Sequence, residues 1–131
     1  MIVFRPELAP ALAFARKQSM QLASKMRFTA AQFVALLTED LWLRNAAHAN
    51  AMAARLAAGV ADVPGVAVRY AVQSNAVFAE LAPERVRALQ REWTFYTWNE
   101  SESVVRWMTA FDTAPDDVDA FVVAVRASAA G

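Results

Sequence analysis

At 131 residues and 14.4 kDa the chain has the length of one compact domain, enough to bury a core. Thirteen basic and thirteen acidic residues cancel, which excludes the electrostatic footprint of a nucleic-acid or anionic-membrane binder. No cysteine and a single histidine exclude disulfides, cysteine-based zinc sites and imidazole-rich metal centres, and without a membrane-length apolar run the expected location is the cytoplasm.

In chain order, Ile2-Val3-Phe4 reads as a short strand with no turn before it, either an edge strand or one whose neighbours lie elsewhere. Pro6 and Pro10 introduce helix, and residues 11–37 favour two or three helical segments with Leu22, Met26, Phe33 and Leu37 as an apolar stripe. Thr38 is placed to cap the next helix by accepting from the amide of Asp40 or Leu41. Trp42, Ala46, Ala49, Ala53, Leu56 and Val60 recur by fours and threes, as in a long helix with one narrow buried face, and Pro64-Gly65 ends it.

Beyond that point the period changes. Residues 66–70 alternate, residues 76–81 form an apolar strand after the polar Gln73-Ser74-Asn75, and Pro83 starts a short helix to Gln90. Residues 93–98 and 104–109 predict a hairpin that lacks the favoured glycine. Residues 113–116 form a variant capping box, with Asp116 in the acidic position, that opens a terminal helix to about Ala127. The fold class is therefore α+β: N-terminal helices including one long one, then a small three- to four-stranded, mainly antiparallel sheet in the order β-β-α-β-β-α, covered by helices. One domain is expected, with residues 1–62 mainly helical and residues 63–131 an α/β sandwich.

Few residues invite chemistry. His48 has no identifiable partner to fix its tautomer, so it reads as structural. The two lysines, Lys17 and Lys25, read as solvated helix charge rather than Schiff-base groups. Trp93, Phe95, Tyr96, Trp98 and Trp107 lack the interleaved cations of a single-strand nucleic-acid platform and read as core or interface packing. Arg106, alone among the apolar residues of Val104-Val105-Arg106-Trp107-Met108, either faces solvent or grips a carboxylate with its bidentate fork. Phosphate cradles need clustered glycines, and the three here, Gly59, Gly65 and Gly131, are scattered.

The run Arg44-Asn45-Ala46-Ala47-His48-Ala49-Asn50-Ala51, then Arg55-Leu56, Val63-Pro64-Gly65-Val66 and Gln73-Ser74-Asn75 resembles the C-terminal part of the low-specificity threonine aldolases and the related aromatic-amino-acid β-eliminating lyases. Val105-Arg106, Thr109 and Asp112 look like that family's closing Val-Arg-x-x-Thr-x-x-Asp segment, and the similarity spans residues 16–125. Gln21-Leu22-Ala23-Ser24 departs from the family's glycine-rich run, and Phe111 stands where many relatives have histidine-leucine.

The resemblance implies the small C-terminal domain of a fold type I pyridoxal-phosphate enzyme, one that cleaves β-hydroxy-α-amino acids such as threonine to glycine and an aldehyde. In that family the cofactor lysine lies on the large domain, before a strand equivalent to residues 2–4. The implied chain therefore has no catalytic residue of its own, no metal site and no tight hold on the cofactor, and is expected to be inactive alone. Two positions carry over: Arg106 as the substrate-carboxylate arginine, and Arg27, after Met26, as a residue near the cofactor phosphate. Implied partners are an amino-acid substrate in a complete enzyme and either a second copy or a large domain, with no nucleic acid or membrane. The alternative is a non-catalytic binding or oligomerisation module derived from that fold.

Overall fold

The computed structural model describes residues 4–20 and 23–129, in two compact units, Met1–Leu41 and Trp42–Gly131. Most of the strand expected at residues 2–4 lies outside the described residues, as does Leu22 of the apolar stripe.

The first unit holds a 3-10 turn at Pro6–Leu8, then α1 (Ala9–Gln18) and α2 (Met26–Leu37). Proline begins the first turn and stands in the first turn of α1, where a missing N–H costs no helical hydrogen bond. None of this unit's described residues is buried; Met26, Phe33 and Leu37 of the stripe are exposed. Thr38 does not cap the following helix as expected. Its hydroxyl donates back to the Val34 carbonyl at 2.6 Å, closing the end of α2, and Glu39 and Asp40 then turn the chain with φ of 52° and 57°. The short polar side chain satisfies the nearer orphan, a carbonyl at the end of its own helix.

The second unit is built on α3 (Leu41–Val60), the long helix that the alanine spacing predicts. Its buried face is Ala49, Ala53, Leu56 and Val60, while Trp42 and Ala46 at the N-terminal end stay exposed. Gly65 follows with φ of 70°, a left-handed position that a side chain would strain. The remainder is β1 (Val66–Val68), β2 (Ala76–Leu81), α4 (Pro83–Leu89), β3 (Tyr96–Asn99), β4 (Val104–Met108) and α5 (Pro115–Ala127).

The four strands pair antiparallel throughout in the order β1-β2-β4-β3. Alternation along β2 and β4 sends Val77, Ala79, Leu81, Val105 and Trp107 to one face, where they meet Leu56 and Val60 of α3 and Val118, Phe121 and Val125 of α5 in one cluster. Full burial of Val60, Val77, Val105 and Val125 contributes about 1.5–3 kcal/mol each. The two helices cross so closely that a Cβ on Gly59 would lie 2.7 Å from Val122 Cγ2, which is why glycine occupies a helical position there.

The expected strand at 93–98 begins three residues late. The amide of Trp93 bonds back to the Leu89 carbonyl, and Gln90 Nε2 donates to the Phe95 carbonyl, so residues 90–95 wrap the end of α4 instead of joining the sheet. Packing decides this: Trp93 and Phe95 turn inward to meet Phe121 edge-on, with centroids 5.0 and 6.1 Å away. The hairpin without glycine is made by Asn99, whose Oδ1 accepts from the amide and hydroxyl of Ser101, and by Ser103 at φ 53°. At α5, Asp117 rather than Asp116 closes the cap by accepting from the Ala114 amide, and Thr113 instead accepts from the amide of Ala110.

Candidate functional site

The second face of the sheet carries no covering helix of the core cluster, and its sequence is unusual for such a face. Register sets Phe78 of β2 on one side of Arg106 and Tyr96 of β3 on the other. Met108 follows Arg106 on the same face by the two-residue strand period. Tyr96, Trp98 and Met108 are exposed, and Phe78 and Arg106 are half-buried. In the pairing of β3 with β4, Thr97 faces Val105 and Asn99 faces Val104, so Trp98 is the additional residue of a β-bulge. The Arg106 guanidinium carbon lies 5.2 Å from the centroid of the Trp98 ring, which meets Phe78 edge-on at 5.3 Å; Phe78 meets Tyr70 edge-on at 5.5 Å.

Among the described arginines only Arg85 and Arg106 are half-buried, and they differ completely in their partners. Arg85 donates to Pro64 O, Val125 O and Ser128 Oγ, tying the turn after α3 to α4 and α5. Among the described residues the Arg106 guanidinium has no hydrogen-bond acceptor, and its Nε is enclosed without a partner. A buried guanidinium N–H left unpaired is costly, and it is the arrangement expected of a site whose acceptor arrives from outside. Nearby Arg69, by contrast, is bonded to Glu80, which holds its pKa above the ordinary value. The open face thus carries one neutralised arginine and one whose donors are unspent.

The other residues singled out in the sequence are structural or lie elsewhere. His48 Nε2 is 2.8 Å from the Thr113 carbonyl, so it donates there and ties α3 to the loop before α5. Thr109 and Asn75, both within the motifs quoted above, form a latch: Asn75 Nδ2 donates to Thr109 O, the Thr109 amide to Asn75 O, and the buried Thr109 hydroxyl to Ala49 O at 2.7 Å. The five aromatics divide. Trp93, Phe95 and Trp107 join Phe121 in the core, whereas Tyr96 and Trp98 stand on the open face.

Arg27 belongs to the first unit, where it is exposed with its guanidinium 5.1 Å from the Phe28 ring centroid. Lys17 and Lys25 are both exposed, in the last turn of α1 and at the start of α2. A Schiff-base lysine requires a desolvating or cationic pocket, so neither fits the anchoring of pyridoxal phosphate. A cavity of about 150 Å³ beside Trp93, Phe95, Trp107 and Phe121 encloses no cationic group. A hollow of about 490 Å³ at the ends of β1 and β2 is lined by Glu80, Glu102 and Ser103. Among the described residues no three His, Asp or Glu side chains are grouped to hold a metal ion, and no helix is long and apolar enough to cross a membrane.

Arg106 was visible in the sequence as an oddity within an apolar strand. Trp98 and Phe78 were not visible as its companions, although the spacing of Tyr96 and Trp98 already put both on one side of a strand; the missing information was the register.

No family model matches the chain. It is 46% identical over 114 residues to a low-specificity L-threonine aldolase of Pseudomonas aeruginosa, covering 86% of this chain and 33% of that protein. It is 40% identical over 128 residues to a low-specificity L-threonine aldolase of a Pseudomonas species, covering 97% of this chain and 37% of that protein. The chain therefore spans about a third of the length of the curated relatives it matches. A solved structure of Leishmania major threonine aldolase superposes with a TM-score of 0.67 at 26% identity, over 75% of this chain and 29% of that one.

Proposed function

We propose that this chain, similar over most of its length to low-specificity threonine aldolases, is the C-terminal part of such a pyridoxal-phosphate lyase and supplies its substrate-carboxylate clamp. The observation that carries the reading is Arg106, half-buried, its guanidinium without a hydrogen-bond acceptor among the described residues, in the middle of an open sheet face. A planar guanidinium recognises a carboxylate through two parallel N–H donors, and an amino acid bound that way is fixed in orientation as well as position. The substrate class is a β-hydroxy-α-amino acid such as threonine, and the products are glycine and an aldehyde. Pyridoxal phosphate supplies the electron sink for that bond cleavage in the complete enzyme.

The anchoring lysine is to be sought outside this chain, since Lys17 and Lys25 are exposed. Arg27 is assigned a place near the cofactor phosphate, as an exposed surface cation rather than part of a built cradle. On this reading the chain alone does not cleave threonine, works in the cytoplasm and pairs with a large domain or a second copy. Purified chain with pyridoxal phosphate and threonine is expected to give no glycine and no borohydride-reducible adduct. An adduct on Lys17 or Lys25 accompanied by threonine cleavage would overturn the assignment.

A second reading, a non-catalytic binding or oligomerisation module, is favoured by the first unit: Phe14, Phe28, Phe33 and Leu37 are each more than half exposed. Sedimentation decides it. Strictly monomeric behaviour at all concentrations counts against that module.

A further inference from the structure

We propose that Trp98 is a positioning residue for the Arg106 clamp: the β-bulge in β3 sets its ring against the guanidinium and holds the arginine in place without neutralising it. The inference rests on the carboxylate reading of Arg106 and adds the device that orients it.

Two arginines on the same sheet face show the alternatives. Arg69 is fixed by Glu80, to which one Nη donates, and that pairing neutralises its charge. Arg106 is fixed by an aromatic ring, with the guanidinium carbon 5.2 Å from the Trp98 centroid. A cation–π contact uses the charge of the guanidinium against the ring quadrupole and requires no carboxylate, so the hydrogen-bonding capacity remains for a ligand. A long side chain otherwise loses rotamer freedom when it binds, and restraint beforehand reduces that loss.

The backbone explains why the ring reaches that position. Between Thr97, opposite Val105, and Asn99, opposite Val104, Trp98 has no partner in the ladder. Such an extra residue bends the strand and re-aims its side chain. The hairpin is closed immediately afterwards by Asn99 and Ser101, which anchors the bulge from its C-terminal side. Phe78, the cross-strand neighbour of Arg106, meets Trp98 edge-on at 73° and Tyr70 meets Phe78 edge-on at 77°, so the indole packs at the end of a file of aromatics. Trp98 is 57% exposed, so its replacement removes little core packing.

The test uses the full chain, ¹⁵N-labelled, with acetate as the carboxylate probe. Hydrogen exchange of the Arg106 Nε–H reports restraint without ligand, and the acetate titration reports affinity. Trp98→Ala is expected to speed the exchange and weaken acetate binding, each by about two- to tenfold, while Trp98→Phe, which keeps a π face, retains most of both. Thermal unfolding of Trp98→Ala should match that of the parent chain. Exchange or affinity unchanged in Trp98→Ala overturns the positioning role, even if Arg106→Gln abolishes acetate binding. If Arg106→Gln instead binds acetate as well as the parent chain does, the clamp reading itself fails, while the exchange rate still judges whether Trp98 restrains Arg106.

Discussion

The two faces of the sheet use the same residue types for opposite ends. On the covered face Trp107, Phe95 and Trp93 close around Phe121, the strand residues alternate inward, and the helices α3 and α5 approach closely enough to require Gly59. On the open face Trp98, Tyr96 and Phe78 neighbour an arginine whose guanidinium has no acceptor among the described residues. The difference teaches that aromatic content alone does not distinguish a core from a site, and neither does an unpaired N–H, since Trp93 and Trp107 Nε1 are enclosed without partners on the covered face; what sets the open face apart is that its unpaired group is a charged guanidinium. It also predicts that substitutions on the two faces separate into stability effects and binding effects.

The largest effect belongs to the covered face. Trp107→Ala is expected to destabilise by about 3–5 kcal/mol, against no more than about 0.5 kcal/mol for Tyr96→Ala on the open face, as read from urea unfolding. Equal losses at the two positions would break the comparison.

Next is the helix crossing. Gly59→Ala places a methyl 2.7 Å from Val122 Cγ2 and should cost about 1–3 kcal/mol, and pairing it with Val122→Ala should recover part of that loss in a double-mutant cycle. Thr109→Val should cost about 1 kcal/mol by removing the buried hydroxyl's hydrogen bond to Ala49 O, a carbonyl that then keeps only its partner within α3. The effect should show in stability and leave carboxylate binding unchanged, because the latch holds β4 from behind.

The smallest effect is electrostatic. Asp119 is held below its ordinary value of 3.8, first by hydrogen bonding to Arg55 and then by that residue's charge. Asp62 is also lowered, first by hydrogen bonding to Arg126 and then by a backbone hydrogen bond. A carboxyl with a lowered folded-state pKa binds fewer protons when folded, so its stabilisation is present above the ordinary value and is lost as pH falls through the lowered one. Both pairs lie on the surface, where such bridges are weak. The urea midpoint should therefore fall gently on acidification below about pH 4, and Asp119→Asn should make that dependence shallower. An unchanged slope would remove Asp119 from the account.

Much of the second unit was legible in the sequence because burial there follows simple periods. The alanine spacing of α3, the apolar run of β2 and the proline at the start of α5 each specify one element. Residues 93–95 misled because strand-favouring aromatics were recruited to plug the core, a tertiary demand that outweighs local propensity. Thr38 misled because one hydroxyl has two candidate helix ends within reach. For the site, the sequence offered Arg106 and its resemblance to a family arginine. The bulge at Trp98 and the enclosed, unpaired Nε depend on register, which no single-strand pattern encodes.

The central claim, that Arg106 is a carboxylate clamp, is tested most directly by titrating the ¹⁵N-labelled chain with L-threonine and with its methyl ester while following the Arg106 side-chain signal. A saturable shift is expected with threonine and none with the ester; in Arg106→Gln, where the indole N–H signal of the neighbouring Trp98 is followed instead, neither ligand is expected to shift it. A shift that persists with the ester or in Arg106→Gln, or binding that leaves the open face untouched, would contradict it.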